Sequence, residues 1–159
     1  MNLAHTITVA TADDALAIAR MSRDLIERGL GWSWTPLRVR RSVADAATNV
    51  VLAGCGGVAA GFGIMKYHDD EAHLLLLAVQ PAYARHGIGG ALVGWLEASA
   101  RSAGIGQVYL EARAANAAAR MFYRHHGYRE IQTLPGYYRG IEASVRMAKD
   151  LWLEQPASA

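Results

Sequence analysis

Three glycines fall within four residues at His86-Gly87-Ile88-Gly89-Gly90, after an apolar run that ends at Pro81. Glycine inside a helix costs roughly 0.8–1.0 kcal/mol relative to alanine, so glycines at a helix start imply unusual backbone angles or a closely approaching ligand. The mouth of a helix offers unpaired N–H groups and partial positive charge, a ready seat for a phosphate. A nucleotide-hydrolase loop would need a Gly-Lys-Ser/Thr ending, and the stretch contains no lysine. A dinucleotide fingerprint would need a third glycine where Leu92 stands, and a β-α-β unit opening at this point. A tight helix–strand turn with no ligand is the bland alternative. Shortly before the loop, Glu71 and His73 alternate along "EAHLLLLAV", so both side chains point to one side of an extended chain. They are titratable groups suited to taking a proton from an amine, or else exposed residues beside the Asp69-Asp70 turn.

These residues need a scaffold. The chain has 159 residues, enough for one core, and a net charge of +2, too mild to demand nucleic acid as a partner. Its single cysteine, Cys55, permits no intrachain disulfide. The other histidines show no metal-ligand spacing, so no metal is expected. The N-terminus does not read as a signal peptide, and the longest apolar run, 74–79, falls short of the ~20 residues that span a bilayer. A cytoplasmic protein with no membrane partner is the expectation.

Hydrophobic period and turn signals predict a strand over 7–10, a helix from Thr11 to Gly29 with Thr11 and Asp14 as a capping pair, and a second helix over 36–47 starting at Pro36. Strands follow at 49–53, 58–68 and 71–79, separated by turns at 54–57 and 69–70, with Cys55 as a small turn residue. The near-continuous apolar half of 71–79 marks a central strand. A helix from 87 to 103, a strand over 107–112, a helix over 116–126 and strands over 128–133 and 143–151 complete the chain, with 134–142 as a long hairpin-like loop. The order β-α-α-β-β-β-α-β-α-β-β implies one α/β (α+β) domain over 1–159, a mixed sheet with helices on its faces.

"AVQPAYARHGIGGALV" is similar to the acyl-CoA-binding motif of the GNAT superfamily of N-acetyltransferases, Gln/Arg-x-x-Gly-x-Gly/Ala, with Ala84 at the Gln/Arg place. "NAAARMFYRHHGY" resembles that family's second signature, which places Asn116, Ala119, Phe122, Tyr123, Gly127 and Tyr128 in matching positions. "EAHLLLLAVQP" and "YYRGIEASVRM" resemble the bacterial ribosomal-protein alanine N-acetyltransferase branch. The resemblance implies a mostly antiparallel sheet with helices on both faces.

It also implies acetyl transfer from acetyl-CoA to a primary amine by direct attack, with no covalent enzyme intermediate. The amides of Arg85, His86, Gly87, Ile88, Gly89 and Gly90 would grip the pyrophosphate, and Asn116, Ala119 and Phe122 would border the cofactor. The 71–79 and 107–112 strands would splay, freeing main-chain groups at Ala78 and Val79 for the pantetheine arm and thioester carbonyl. Tyr123 matches the general acid, and the base falls at Glu71 by the ribosomal-protein branch or at His73 by others. Trp32, Trp34, Tyr137 and Tyr138 would wall the acceptor site. The acceptor would be a peptide N-terminus or a small amine; a homodimer stays open. A non-catalytic acyl-CoA-binding or sensing module and an aminoacyl-tRNA-acetylating toxin are the other readings. The toxin would need a basic surface, for which "RVRR" (38–41) is the sole cluster, and nucleic acid is not the expected partner.

Overall fold

Hydrogen bonding links seven strands in the order β1-β2-β3-β4-β5-β7-β6, with four α-helices between them, in a computed structural model that describes residues 4–138 and 142–153. β4 (Glu71–Val79) and β5 (Gln107–Arg113) run parallel, whereas the β1–β2, β2–β3, β5–β7 and β6–β7 ladders are antiparallel. None of the described helices is long and apolar enough to cross a membrane. The contacts divide the chain into two compact units, 1–66 with 74–98 and 67–73 with 99–159.

The first unit holds β1 (Thr6–Val9), α1 (Ala15–Leu25), α2 (Pro36–Ala44), β2 (Thr48–Cys55), nearly all of β3 (Val58–Tyr67), the end of β4 and most of α3 (Ile88–Ser102). Thr11 opens α1 as expected, through a short 3-10 turn: its N–H donates to the Asp14 carboxylate at 2.8 Å. Thr35 caps α2, its hydroxyl accepting the Arg38 N–H at 3.4 Å, and Pro36 follows at the first helical position. Apolar residues of α1 and α2 (Ile18, Ala19, Met21, Val39) cluster with Val50, Phe62, Ile64 and Leu76 of the strands. On β3, Gly63 lies against Leu77 and Leu96, so α3 covers strand residues of alternate parity to Phe62 and Ile64.

Several boundaries in this unit differ from the sequence expectation, among them the end of α1, which stops at Leu25, short of Gly29. The β2–β3 turn is Gly56–Gly57 alone, and Cys55 is a buried strand residue paired with Val58, not a turn residue. α2 ends at Ala44 because the next residue, Asp45, turns to extended backbone and accepts from Ala47 N–H and the Thr48 hydroxyl.

The second unit holds β5, α4 (Ala117–His125), β6 (Arg129–Tyr138), β7 (Glu142–Asp150) and the first residues of β4. Val108, Leu110, Ala112, Val145 and Met147 fill one side of β5 and β7 and are buried. Alternation then puts Tyr109, Glu111 and Arg146 on the other side. The expected loop after residue 133 is instead strand: β6 continues to Tyr138, with its register to β7 shifted between Leu134 and Tyr138. Pro135 and Gly136 read as loop formers in sequence, yet β6 ends the strand order, where a missing N–H is tolerated.

Candidate active site

The glycine loop opens α3 as expected. Pro81–Tyr83 form a 3-10 turn, after which Arg85 takes φ 63° and Gly87 φ 78°. Arg85 is the sole non-glycine residue with positive φ among the described residues. That conformation is costly for a residue with a Cβ, and it turns successive amides toward one side. The first bond of the α3 ladder runs from Ala91 N–H to Gly87 O, at 3.0 Å. By helix geometry, the N–H groups of Ile88, Gly89 and Gly90 therefore have no intrahelical acceptor. Arg85 is exposed, His86, Gly89 and Gly90 half-buried, and the Ile88 side chain buried as the helix anchor.

β4 leads into this loop. Its end is held to β3: Gln80 N–H donates to Ala60 O at 2.8 Å and its side-chain amide donates to Ala59 O. Gly61 is required there, since a Cβ would stand 2.7 Å from Ala78 O and 3.2 Å from Val79 Cα. The parallel β4–β5 ladder comprises only Glu71↔Gln107, Ala72↔Val108 and His73↔Tyr109. Ala78 and Val79 thus lie outside it.

In the second unit the polar side of the sheet carries a connected group of side chains. His73 Nε2 lies 2.8 Å from Glu111 Oε1, and Arg146 Nε donates to Glu111 Oε2 at 3.1 Å. Glu111 and Arg146 are direct cross-strand partners, as are His73 and Tyr109, whose rings stack at 4.3 Å and 18°. The Arg146 guanidinium also lies over the Tyr109 ring, 5.4 Å from its centroid. Burial, then the Glu71 and Glu111 carboxylates, push the Tyr109 phenol above its ordinary value, against the pull of Arg146. Tyr109 therefore stays protonated through neutral pH. The Glu111 side chain is only 5% exposed, a carboxylate that needs both its partners. Glu71 is half-buried on the same strand side as His73.

Glu111 and Arg146 escaped the sequence reading. "YLEAR" shows an acid in a strand, but only the β5–β7 register pairs it with an arginine 35 residues away. Glu111's position in phase with Tyr109 was the available signal.

α4 holds the predicted general acid, Tyr123. Asn116 caps it, Oδ1 accepting the Ala119 N–H at 3.0 Å. Arg120 ties the helix to Ala114 O at 2.7 Å and to Glu130 at 2.7 Å, and Arg124 reaches the same carboxylate at 3.2 Å. Tyr123 is buried, edge-on to Phe122 (5.2 Å) and Tyr128 (5.7 Å), and its carbonyl accepts the Tyr128 N–H at 2.9 Å. Asn116 is exposed and so owes its place to capping, while Ala119 and Phe122 are half-buried.

The acceptor-wall residues divide. Trp34 is a correction: it is buried in the core cluster with Arg38 stacked 3.8 Å from its ring centroid, an anchor and not an exposed wall. Trp32 is partly exposed, but its indole N–H donates to Ala19 O at 3.1 Å, and Arg23 covers its ring at 5.1 Å. Trp34 is placed by Glu27, which the sequence reading also passed over. Its buried carboxylate accepts from the Ser22 hydroxyl (2.8 Å), the Ser33 N–H (2.8 Å), the Ser33 hydroxyl (2.6 Å) and the Trp34 N–H. Burial acts to raise the Glu27 carboxyl, but the hydrogen bonds from Ser33, Ser22 and the backbone outweigh it, and the group is held below its ordinary value. Its stabilising effect is therefore present above the unfolded carboxylate pKa of ~4.3 and is lost as pH falls through the lower folded value. Glu27→Gln should lower stability by about 1–3 kcal/mol at pH 7, with the deficit shrinking toward pH 3 in urea melts. Tyr137 and Tyr138 belong to β6 by their backbone, but their side chains, and residues 139–141 of the same segment, lie outside the described residues. No cluster of three metal-ligating side chains occurs among the described residues.

The sequence matches the Acetyltransferase (GNAT) family over residues 19–128. The chain belongs to the GNAT acetyltransferase family. It is similar to the [ribosomal protein bS18]-alanine N-acetyltransferase of Escherichia coli strain K12, 33% identical over 125 residues, covering 77% of this chain and 84% of that one. Among solved structures it resembles Ard1 from Thermoplasma volcanium, with TM-score 0.82 and 26% identity over 96% of this chain and all of that one. It also resembles the Escherichia coli ribosomal-protein-S18-alanine N-acetyltransferase, with TM-score 0.79 and 26% identity over 98% and 99% of the two chains. This GNAT protein is accordingly an acetyl-CoA-dependent N-acetyltransferase, near the ribosomal-protein alanine branch. Its mixed, mostly antiparallel sheet is the one that the family resemblance implied.

Proposed function

We propose that the chain transfers the acetyl group of acetyl-CoA to the α-amine of a peptide by direct attack, with its two units working as one acetyltransferase domain over 1–159. The observation that carries this reading is the His73–Glu111–Arg146 group on the polar side of the sheet, a base assembly for an amine nucleophile. The name of the Escherichia coli relative, an enzyme acting on a ribosomal-protein alanine, supports a peptide acceptor.

Each step is assigned to residues described above. The amides from Arg85 to Gly90 at the α3 mouth hold the pyrophosphate, with the helix dipole favouring its charge. Ala78 and Val79, outside the β4–β5 ladder, offer main-chain groups to the pantetheine arm, and the Val79 amide polarises the thioester carbonyl. Acetyl-CoA brings the activated acetyl group. The acceptor ammonium gives a proton to His73, or to Glu71 through water. The neutral nitrogen then attacks the carbonyl carbon, the C–S bond breaks, and the second proton leaving the nitrogen ends on the departing thiolate, which is met by the Tyr123 hydroxyl. Asn116, by capping α4, fixes the helix that carries Tyr123; Ala119 and Phe122 border the cofactor. Trp32 and the tyrosines Tyr137 and Tyr138 edge the acceptor.

An α-amine with pKa ~7.7–8.0 is neutral in about one molecule in 5 to 10 at pH 7, against about one in 2,500 for a lysine at ~10.4. A base of histidine strength (~6.5) faces a gap of about 1–2 pKa units with the first and about 4 with the second. The expected result of an acetyl-CoA turnover screen is acetylation of short peptides at their N-terminus. Turnover confined to polyamines, free amino acids or aminoglycosides would replace the peptide reading with a small-amine one.

A further inference from the structure

We propose that the outer face of α2, with Arg38 as its anchor, docks an acidic stretch of the acceptor polypeptide downstream of its reacting N-terminus. The inference rests on the acetyl-transfer reading above and names the substrate class of that same site: a peptide whose terminal amine is followed by aspartates or glutamates.

The chain's charge is unevenly spread. Between residues 15 and 44 stand six arginines and two acids, a net +4 where the whole chain has +2. On α1 the cations are answered: Arg23 donates to Asp24 at 2.8 Å, and the charges of Arg28 and Arg20 act on the same carboxylate. Glu27, the other acid of the segment, is engaged by Ser22, Ser33 and Trp34. α2 carries Arg38, Arg40 and Arg41 with no acid of its own. All three are exposed, and among the described residues none of them pairs with a carboxylate. In the other unit, by contrast, Arg113, Arg120, Arg124 and Arg146 each meet a glutamate.

Arg38 is the least expected of the three. Thr35 caps α2 and Pro36 opens it, so Arg38 takes the third helical position. A helix favours an acid there, both for its dipole and to complete a capping box. Arg41 adds a like charge at i+3, although the last turn of a helix favours a cation. What fixes Arg38 is Trp34: the guanidinium carbon lies 3.8 Å from the ring centroid of that buried side chain. Stacking occupies one face of the guanidinium and leaves its N–H edge for a carboxylate, in a fork that matches both oxygens. The cation is thus held still, with no acid to meet within its unit. It stands just past the loop whose Trp32 edges the acceptor in the reading above.

Charge also selects the occupant. A short acidic segment needs only two or three cations beside the acceptor loop. A nucleic acid is held through a longer series of phosphates, and outside residues 15–44 the chain is net −2.

The test uses three peptides with the same alanine-led start and, further along, three acidic residues, the matching amides or three lysines. Their N-terminally acetylated forms cannot react, so fluorescence anisotropy with the whole protein reads docking without turnover. The acidic peptide is expected to bind about 5- to 20-fold tighter than the amide one in dilute buffer. At about 1 M salt, where exposed charges are screened, the preference should fall below about two-fold. Arg38→Gln with Arg41→Gln should remove the preference and leave binding of the amide peptide unchanged. Arg38→Glu with Arg41→Glu should turn the preference to the lysine peptide, a reversal that lost packing on Trp34 would not produce. Should variants at Arg38 not fold, Arg40→Gln with Arg41→Gln, which leaves the Trp34 stack in place, should still weaken the preference by about two-fold or more. Equal binding of the acidic and amide peptides would overturn the proposal, as would a preference that survives removal of the arginines. A variant that loses salt-sensitive binding to single-stranded RNA while keeping the peptide preference would also overturn it, and would make the face a phosphate-binding one. Docking of the acidic peptide with no peptide acetylated would support the surface and remove the peptide-acceptor reading.

Discussion

Tyr123→Phe is expected to lower kcat about 100-fold while changing KM for acetyl-CoA by no more than about two-fold, the low end of what one general acid supplies. The reasoning starts from packing. Tyr123 is buried edge-on between Phe122 and Tyr128, and phenylalanine keeps those ring contacts, so the helix should not move. What is lost is the hydroxyl that the proposed role offers to the leaving sulfur. A phenol at pKa ~10 does not readily give its proton to a thiolate of pKa ~8.5, since the transfer is uphill by about 2 kcal/mol. In the proposed role the hydroxyl would therefore act chiefly by hydrogen bonding to charge that exists only as the C–S bond breaks. An interaction made only then appears in kcat and not in ground-state binding. Steady-state kinetics at saturating peptide separate the two; an unchanged kcat would remove Tyr123 from the reaction.

The second large effect belongs to the loop. Gly89→Val should weaken coenzyme A binding by about 10- to 100-fold, equivalent to one charge-assisted hydrogen bond of roughly 1.5–3 kcal/mol. Gly89 has no positive φ, so valine strains the backbone little, and its loss is that of phosphate access. Gly87, at φ 78°, would confound access with strain. Arg85→Ala should cost less than about five-fold, because an exposed charge is screened and contributes ~0–1 kcal/mol. Calorimetric titration with coenzyme A compares the two. If Arg85→Ala does more harm than Gly89→Val, the side chain and not the main chain holds the pyrophosphate. This contrast matters because Ala84 stands where the family motif has Gln or Arg, so that the proposed grip would fall chiefly to the backbone.

Sequence determined the features that depend on near neighbours. The capping of α1 by Thr11 and of α2 at Pro36, the span of β4, the glycine stop of α4 and the loop at the mouth of α3 all follow from residues a few positions apart. Local pattern failed where long-range packing overruled propensity. Pro135 and Gly136 announce a loop, yet pairing with β7 keeps the segment extended. "GCGG" announces a four-residue turn, yet pairing of Cys55 with Val58 shortens it to two. Trp34 has the aromatic character of a binding surface, but the carboxylate of Glu27, seven residues earlier, pulls its backbone inward.

The chemistry divides the same way. Glu71, His73, Tyr123 and the glycines could be named as candidates because motif spacing and strand alternation are written along the chain. That His73 is joined to Glu111, and Glu111 to Arg146, was decided by tertiary structure alone. A β-ladder sets residues 38 and 35 positions apart side by side, and a sequence holds no record of register until strands pair.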